Sequence, residues 1–195
     1  MEEVKNTKTS ILAQVAERLD AVTKQDREAK YYQIENKVFE FANFMESQVS
    51  FMHTVGSVEI PMERIIRKAL HIEKTIVLPV FTDAKNAFHL CKITDYDKDL
   101  LPNTSDVLEP DTEKCKKVSL DEIDIAFIPG LAFDDKGGRI GFGNNYYTKL
   151  ITRLPETCRK VSLAFEEQIV DQIQMDSRKH TVDIIITDKR VIYKI

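Results

Sequence analysis

Short apolar runs rich in β-branched and aromatic residues take turns with segments of helical period along most of this chain, and that alternation restricts its fold more than any other feature. Residues 49–55 and 75–81 read as strands, and residues 62–70 between them carry apolar side chains at helical spacing. A strand, helix, strand unit of this kind pairs its strands in parallel, because the intervening helix is the crossover that returns the chain to the same end of the sheet. Further strands are predicted at 88–93, 123–129, 160–165 and 182–187, with helices at 146–154 and 166–174. The predicted fold is α/β: three α/β/α layers, a mostly parallel sheet with helices on both faces, Rossmann-like. A ligand crevice is then expected outside the carboxyl ends of the strands.

Two helices precede this alternation. Ile11, Leu12, Val15, Leu19 and Val22 recur at helical spacing, with Thr9 or Ser10 as the cap, and a second helix over 25–46 places Tyr31, Ile34, Val38, Phe41 and Met45 on one face. Residues 95–117 are polar, carry Pro102 and Pro110 and show little periodicity, so they read as a long surface connection. A length of 195 residues with 43% hydrophobic content fits one domain over residues 1–195.

Charge excludes some partners. With 28 basic against 32 acidic residues the net charge is -4, and no basic block marks a nucleic-acid footprint. The first eleven residues are charged, and no apolar run approaches the roughly 20 residues of a membrane span. A cytoplasmic monomer without nucleic-acid or membrane partners is expected. Cys91, Cys115 and Cys158 are too few and too widely spaced for a disulfide framework or a zinc site, and His53, His71, His89 and His180 lack metal-binding spacing.

Five of the six glycines fall between Gly130 and Gly143, directly after the apolar run that ends near Ile128. Gly141, Phe142 and Gly143 leading into a helix would expose successive backbone N–H groups near a helix N-terminus, an arrangement that attracts phosphate oxygens. Arg139 adds a forked cation suited to bidentate pairing with phosphate. The pattern is neither a P-loop nor a dinucleotide fingerprint, since Tyr146 stands at the position of the third glycine. A flexible surface loop is the bland alternative; a phosphate cradle is the expectation.

The run from Pro129 to Asp134, then Gly138-Arg-Ile-Gly-Phe-Gly143 and the pair Tyr146-Tyr147, resembles the signature of the 5-formyltetrahydrofolate cyclo-ligases, also called methenyltetrahydrofolate synthetases. Lys8, Glu59, Leu78-Pro79, Leu108-Glu109-Pro110, Leu163-Ala-Phe165 and Gln168 follow in the family's order. The resemblance implies an enzyme that uses ATP and Mg2+ to close 5-formyltetrahydrofolate, with or without a polyglutamate tail, to 5,10-methenyltetrahydrofolate, giving ADP and phosphate. The formyl oxygen is a poor leaving group, so the family phosphorylates it before N10 attacks. By position, the resemblance puts Lys8, Arg139, Gly141, Phe142, Gly143, Asn144, Asn145, Tyr146 and Tyr147 on ATP, with Arg139 and Tyr147 in catalytic roles. Thr54 and Glu59 would contact the folate.

Several positions depart from the family pattern. Leu12 stands where a second basic residue is usual, Thr148 where an aspartate associated with Mg2+ follows the tyrosines, Asn145 where glycine is common, and Arg178-Lys179 where a His-Asp pair is frequent. No metal ligand is therefore assigned; the ion would ride in with the nucleotide, near Asp183 or Asp176. A second reading is a catalytically weakened homologue that binds folate or nucleotide in a regulatory role.

Overall fold

Alternation of side chains in the buried strands separates the molecule into layers. The structure, a computed structural model, describes residues 7–54, 60–81, 88–103, 107–142, 146–175 and 180–194. Its helices are α1 (Lys8–Asp20), α2 (Lys24–Glu40), α3 (Ala42–Glu46), α4 (Glu63–His71) and α5 (Tyr146–Arg153). The strands of the main sheet are β1 (Val49–Phe51), β2 (Thr75–Phe81), β3 (Phe88–Ile93), β6 (Lys116–Val118), β7 (Ile125–Phe127), β10 (Arg159–Ala164), β12 (Ile184–Thr187) and β13 (Val191–Tyr193). Two small sheets join β4 (Leu100–Pro102) to β5 (Leu108–Pro110), and β8 (Ala132–Asp134) to β9 (Arg139–Ile140) and β11 (Ile169–Val170).

Ile76 and Leu78, Ile125 and Phe127, and Ile184 and Ile186 pack on one face with α1, α2, α3 and α4. Val77, Ala126 and Ile185 point to the other face, against Leu150 and Ile151 of α5. Helices thus cover both faces, as the alternation predicts. The strand order is β13-β12-β10-β7-β1-β2-β3-β6, with the five central strands parallel, β13 and β3 running against them and β6 pairing antiparallel with β3 at the edge. From β1 the chain moves through α4 to β2 on one side, whereas from β7 it moves to β10 and β12 on the other. The order reverses between β1 and β7, and that switch point is where such a sheet opens a crevice.

Four expectations need correction. The helix expected over 25–46 breaks at Phe41, whose backbone is extended at φ -77 and ψ 109; the break turns Phe44, fully buried, between the rings of Phe39 and Phe127 at 5.6 and 5.5 Å. The helix expected at 166–174 is only a 3₁₀ turn at Glu166–Gln168, after which the β-branched Ile169 and Val170 pair in parallel with β8. Residues 95–117 contain the β4–β5 hairpin and strand β6. The first helix is capped by Thr7 rather than Thr9 or Ser10, its hydroxyl accepting the Ser10 N–H at 3.3 Å.

Phe44→Ala removes a ring that two aromatic edges and the Lys74 ammonium, 5.0 Å from its centroid, all contact. The expected loss is about 3–5 kcal/mol of stability. Equilibrium urea unfolding measures it; a loss below about 1 kcal/mol would place the ring outside the cooperative core.

Candidate active site

At the switch point the chain leaves β1 through Met52, whose N–H reaches the Val77 carbonyl at 2.9 Å, and continues into His53 and Thr54. The Thr54 hydroxyl donates to the Leu108 carbonyl, tying this end of β1 to the β4–β5 hairpin. Glu109 fastens the same hairpin across the end of β2, its carboxylate accepting the Phe81 N–H at 3.3 Å and the Asn103 amide at 2.6 Å. From β7 the chain runs through Ile128, held by the Val161 carbonyl and by the Ser162 hydroxyl at 2.6 Å, into Pro129 and Gly130. A Cβ on Gly130 would stand 2.6 Å from the Phe133 ring, so only glycine fits the turn. The buried Gln168 braces this turn by donating to the Leu131 carbonyl at 3.1 Å.

Asp134 organises the glycine loop. Its buried carboxylate accepts backbone N–H groups from Lys136 at 3.0 Å, Gly138 at 2.7 Å and Ile173 at 2.7 Å. Gly137 between them takes φ +77, the left-handed region that glycine enters without strain. The turn delivers Arg139 inward: the side chain is 8% exposed, Nη1 donates to the Pro129 carbonyl at 2.7 Å and Nη2 to the Thr148 hydroxyl at 3.3 Å. Arg139 is therefore a seated group that bridges the carboxyl end of β7 to the start of α5. Gly141 lies against the same guanidinium, where a Cβ would overlap it.

Aromatic rings line the crevice beside it. Tyr146 stands edge-on to Phe81 at 4.5 Å, Phe88 at 4.9 Å and Tyr147 at 4.8 Å, and Tyr147 in turn faces Phe51 at 6.5 Å and His53 at 6.0 Å. Phe81 ends β2 and Phe88 opens the antiparallel β3, so the row follows the strand ends from β3 to β1. Arg153 lies 4.9 Å over the Phe88 ring. Burial pushes the Tyr146 hydroxyl well above the usual phenol range, which keeps it a neutral group at physiological pH. His53 is 4% exposed, and burial pushes its imidazole down to about 3, so it too is neutral.

The structure brings Arg139, Gly141, Tyr146, Tyr147 and Thr54 to this end of the sheet. Phe142 is exposed. Lys8 is exposed on the first turn of α1, with no contact to that group among the described residues. Glu59, Gly143, Asn144, Asn145, Asp176, Arg178 and Lys179 lie outside the described residues. Leu12 packs against the core instead of extending a cationic face. Asp183 cannot serve the crevice, because it accepts the Lys160 N–H at 2.9 Å and pairs with the Lys160 ammonium at 3.2 Å, at the amino ends of β10 and β12. Among the described residues no three His, Cys, Asp or Glu side chains converge on a metal site. His53, Phe81 and Phe88 went unassigned in the sequence; their signal is position alone, at strand ends that face the switch point.

The family model of the 5-formyltetrahydrofolate cyclo-ligase family matches residues 4–188. The chain is 27% identical over 201 residues to a probable 5-formyltetrahydrofolate cyclo-ligase of Caenorhabditis elegans, covering 98% of each chain. It is 26% identical to the 5-formyltetrahydrofolate cyclo-ligase of Mus musculus, covering 94% of each. The solved 5,10-methenyltetrahydrofolate synthetase of Aquifex aeolicus shares the fold, with a TM-score of 0.80 at 23% identity over 95% of this chain and 92% of that one. With a glycine loop, tyrosine pair and strand-end turn that fall in one crevice, and a match that runs almost end to end, this chain belongs to the 5-formyltetrahydrofolate cyclo-ligase family.

Proposed function

We propose that the protein closes 5-formyltetrahydrofolate to 5,10-methenyltetrahydrofolate with cleavage of ATP to ADP and phosphate, as a cytoplasmic monomer. One observation supports the site assignment: Arg139 joins the carboxyl end of β7 to the start of α5 beside the aromatic row, so a cation suited to bind phosphate lies next to an aromatic wall. Phosphoryl transfer to the formyl oxygen needs positive charge and backbone donors aimed at the moving group, and a wall that keeps water away from the phosphorylated formyl carbon. The Arg139 guanidinium and the first N–H groups of α5 supply the former. Tyr146, Tyr147 and Phe81 supply the latter. In this reading Lys8, Gly141, Phe142, Gly143, Asn144 and Asn145 complete the nucleotide site, and Thr54 and Glu59 border the folate. Incubation with 5-formyltetrahydrofolate, ATP and Mg2+ should generate the methenyl chromophore only when ATP is present. A protein that binds ATP yet forms no product above the uncatalysed background would instead be a regulatory binding homologue.

Among the described residues no three His, Cys, Asp or Glu side chains gather into a metal site, and the ion is taken to arrive on the nucleotide with most of its water. Thr148→Asp tests whether the missing acid matters. The new carboxylate would lie beside Arg139 Nη2, now 3.3 Å from the Thr148 hydroxyl, and would pair with it rather than with the metal. Half-saturating Mg2+ should therefore stay within about twofold of the unaltered protein. A fall of fivefold or more in a Mg2+ titration would place a protein–metal bond there.

A further inference from the structure

The hydrogen-bonded ladder that joins β7 to β10 stops short of the crevice. Among the described residues its last rungs are the Ile128 N–H on the Val161 carbonyl at 2.7 Å and the Ser162 hydroxyl on the Ile128 carbonyl at 2.6 Å. Beyond them the two chains part, one into Pro129, Gly130 and Leu131, the other into Phe165 and the 3₁₀ turn. The side chain of Gln168, 1% exposed, spans that opening. Its Oε1 accepts the Phe165 N–H at 2.8 Å, and its Nε2 donates to the Leu131 carbonyl at 3.1 Å and the Gly130 carbonyl at 3.4 Å. A buried amide engaged at both ends inside the protein does not touch substrate, so any part it plays in the reaction is exerted through the groups it holds.

Those groups seat Arg139. Its Nη1 donates to the Pro129 carbonyl at 2.7 Å, and the next residue, Ile140, accepts the Leu131 N–H on its carbonyl at 2.7 Å. A Cβ on Gly130 would stand 2.9 Å from Arg139 Cγ, so the stem of the arginine rests on the same turn. Three successive carbonyls are thereby shared between two side chains, Pro129 held by the guanidinium, Gly130 and Leu131 by the amide. Glycine at 130 leaves the hinge between the flanking peptide planes soft, and the Gln168 amide stiffens it from the side away from Arg139. We propose that Gln168 is a positioning residue for phosphoryl transfer, holding the turn at Pro129–Leu131 so that the Arg139 guanidinium keeps its aim; the inference rests on the reading of Arg139 as the phosphate grip. A misplacement of about 1 Å caused by a residue away from the chemistry costs on the order of a hundredfold in rate, so a small slackening of this turn is enough to be felt.

The test is a double-mutant cycle on the full-length protein, read by methenyltetrahydrofolate formation below the melting transition of the least stable variant. Gln168→Met and Gln168→Asn are each made alone and together with Arg139→Ala. Met keeps the length of the side chain without its polar atoms; Asn keeps an amide near the Phe165 N–H on an arm one methylene too short to span to Leu131. Both leave Arg139 in place to bridge β7 and α5, so each should lower kcat by at least about tenfold with KM for ATP and for 5-formyltetrahydrofolate within about threefold. In the Arg139→Ala background the same changes should cost less than about threefold, because the group they position is gone. A loss as large without Arg139 as with it, a fall in kcat smaller than tenfold, or a loss that enters both KM values instead of kcat overturns the proposal and marks Gln168 as a structural brace. Should Gln168→Met not fold, Gln168→Asn carries the same cycle. If Arg139→Ala is itself within threefold of the unaltered protein, the phosphate reading of Arg139 fails and this inference falls with it; a slow Arg139→Ala with additive Gln168 losses leaves that reading standing and removes this one alone.

Discussion

Arg139→Ala is expected to lower kcat/KM for methenyltetrahydrofolate formation by about a hundredfold, the largest kinetic effect of any single change in the crevice. Two contributions add. The guanidinium supplies the charge that faces the transferring phosphoryl group, and hydrogen bonds made by a charged group contribute about 1.5–3 kcal/mol each, against roughly 1.4 kcal/mol per tenfold in rate. It also holds the Pro129 carbonyl at 2.7 Å and the Thr148 hydroxyl at 3.3 Å, which sets the end of β7 relative to the start of α5. Arg139→Lys should recover little, because a single ammonium cannot span both partners and face a phosphate. The two contributions separate experimentally: loss of position alone would raise KM for both substrates and lower the melting temperature, whereas loss of charge lowers kcat in a protein that still binds folate. Kinetic constants within threefold of the unaltered protein, in a variant that melts normally, would remove Arg139 from the phosphate grip.

What the sequence made legible follows from what periodicity can carry. The run at 75–81 is nearly all apolar and that at 88–93 interleaves apolar residues with His89 and Lys92, and both fold as strands over those same residues. Periodicity says nothing about direction, and β3 proves antiparallel; the information was in the spacing, since the six residues between Phe81 and Phe88 are too few for a crossover. The β4–β5 hairpin escaped because Pro102 and Pro110 were read as punctuation, although proline is tolerated in edge strands that do not use its missing N–H. Residues 166–174 look helical by composition, but after the turn at Glu166–Gln168 the β-branched Ile169 and Val170 go extended and pair with β8.

The site was legible in place more than in detail. The glycine cluster and the strand before it located the crevice, because ligands meet parallel sheets at carboxyl ends. Arg139 stood out in the sequence as a forked cation, but its burial did not. Its neighbours are glycine, lysine and aspartate, all cues for exposure, and only the folding of β9 against β8 reveals that it turns inward under Pro129. His53 offered no cue, because a lone histidine after an apolar strand has no local partner that spacing could reveal.

Asp134→Ala should be the most destabilising single change outside the hydrophobic core. The carboxylate accepts three backbone N–H groups, from Lys136, Gly138 and Ile173, and its removal leaves the Gly138 and Ile173 donors buried with nothing to bond. Orphaned donors cost about 1–3 kcal/mol each, so a combined loss of roughly 3–5 kcal/mol is expected, equivalent to about 10 °C in melting temperature for a chain of this size. Asp134→Asn keeps the shape but turns one acceptor into a donor. Oδ1 faces Gly138 and Oδ2 faces Ile173, both N–H groups at 2.7 Å, so either orientation of the amide points N–H at N–H. Asn should therefore recover less than half of the loss. Because the turn at Gly137 and Gly138 delivers Arg139, activity per folded molecule should fall as well, and bound ADP should restore part of the stability by mass action. Scanning calorimetry of both variants, with and without ADP, reads all of this. Asp134→Asn melting within about 2 °C of the unaltered protein would show that the loop is held by its glycines and backbone rather than by this carboxylate.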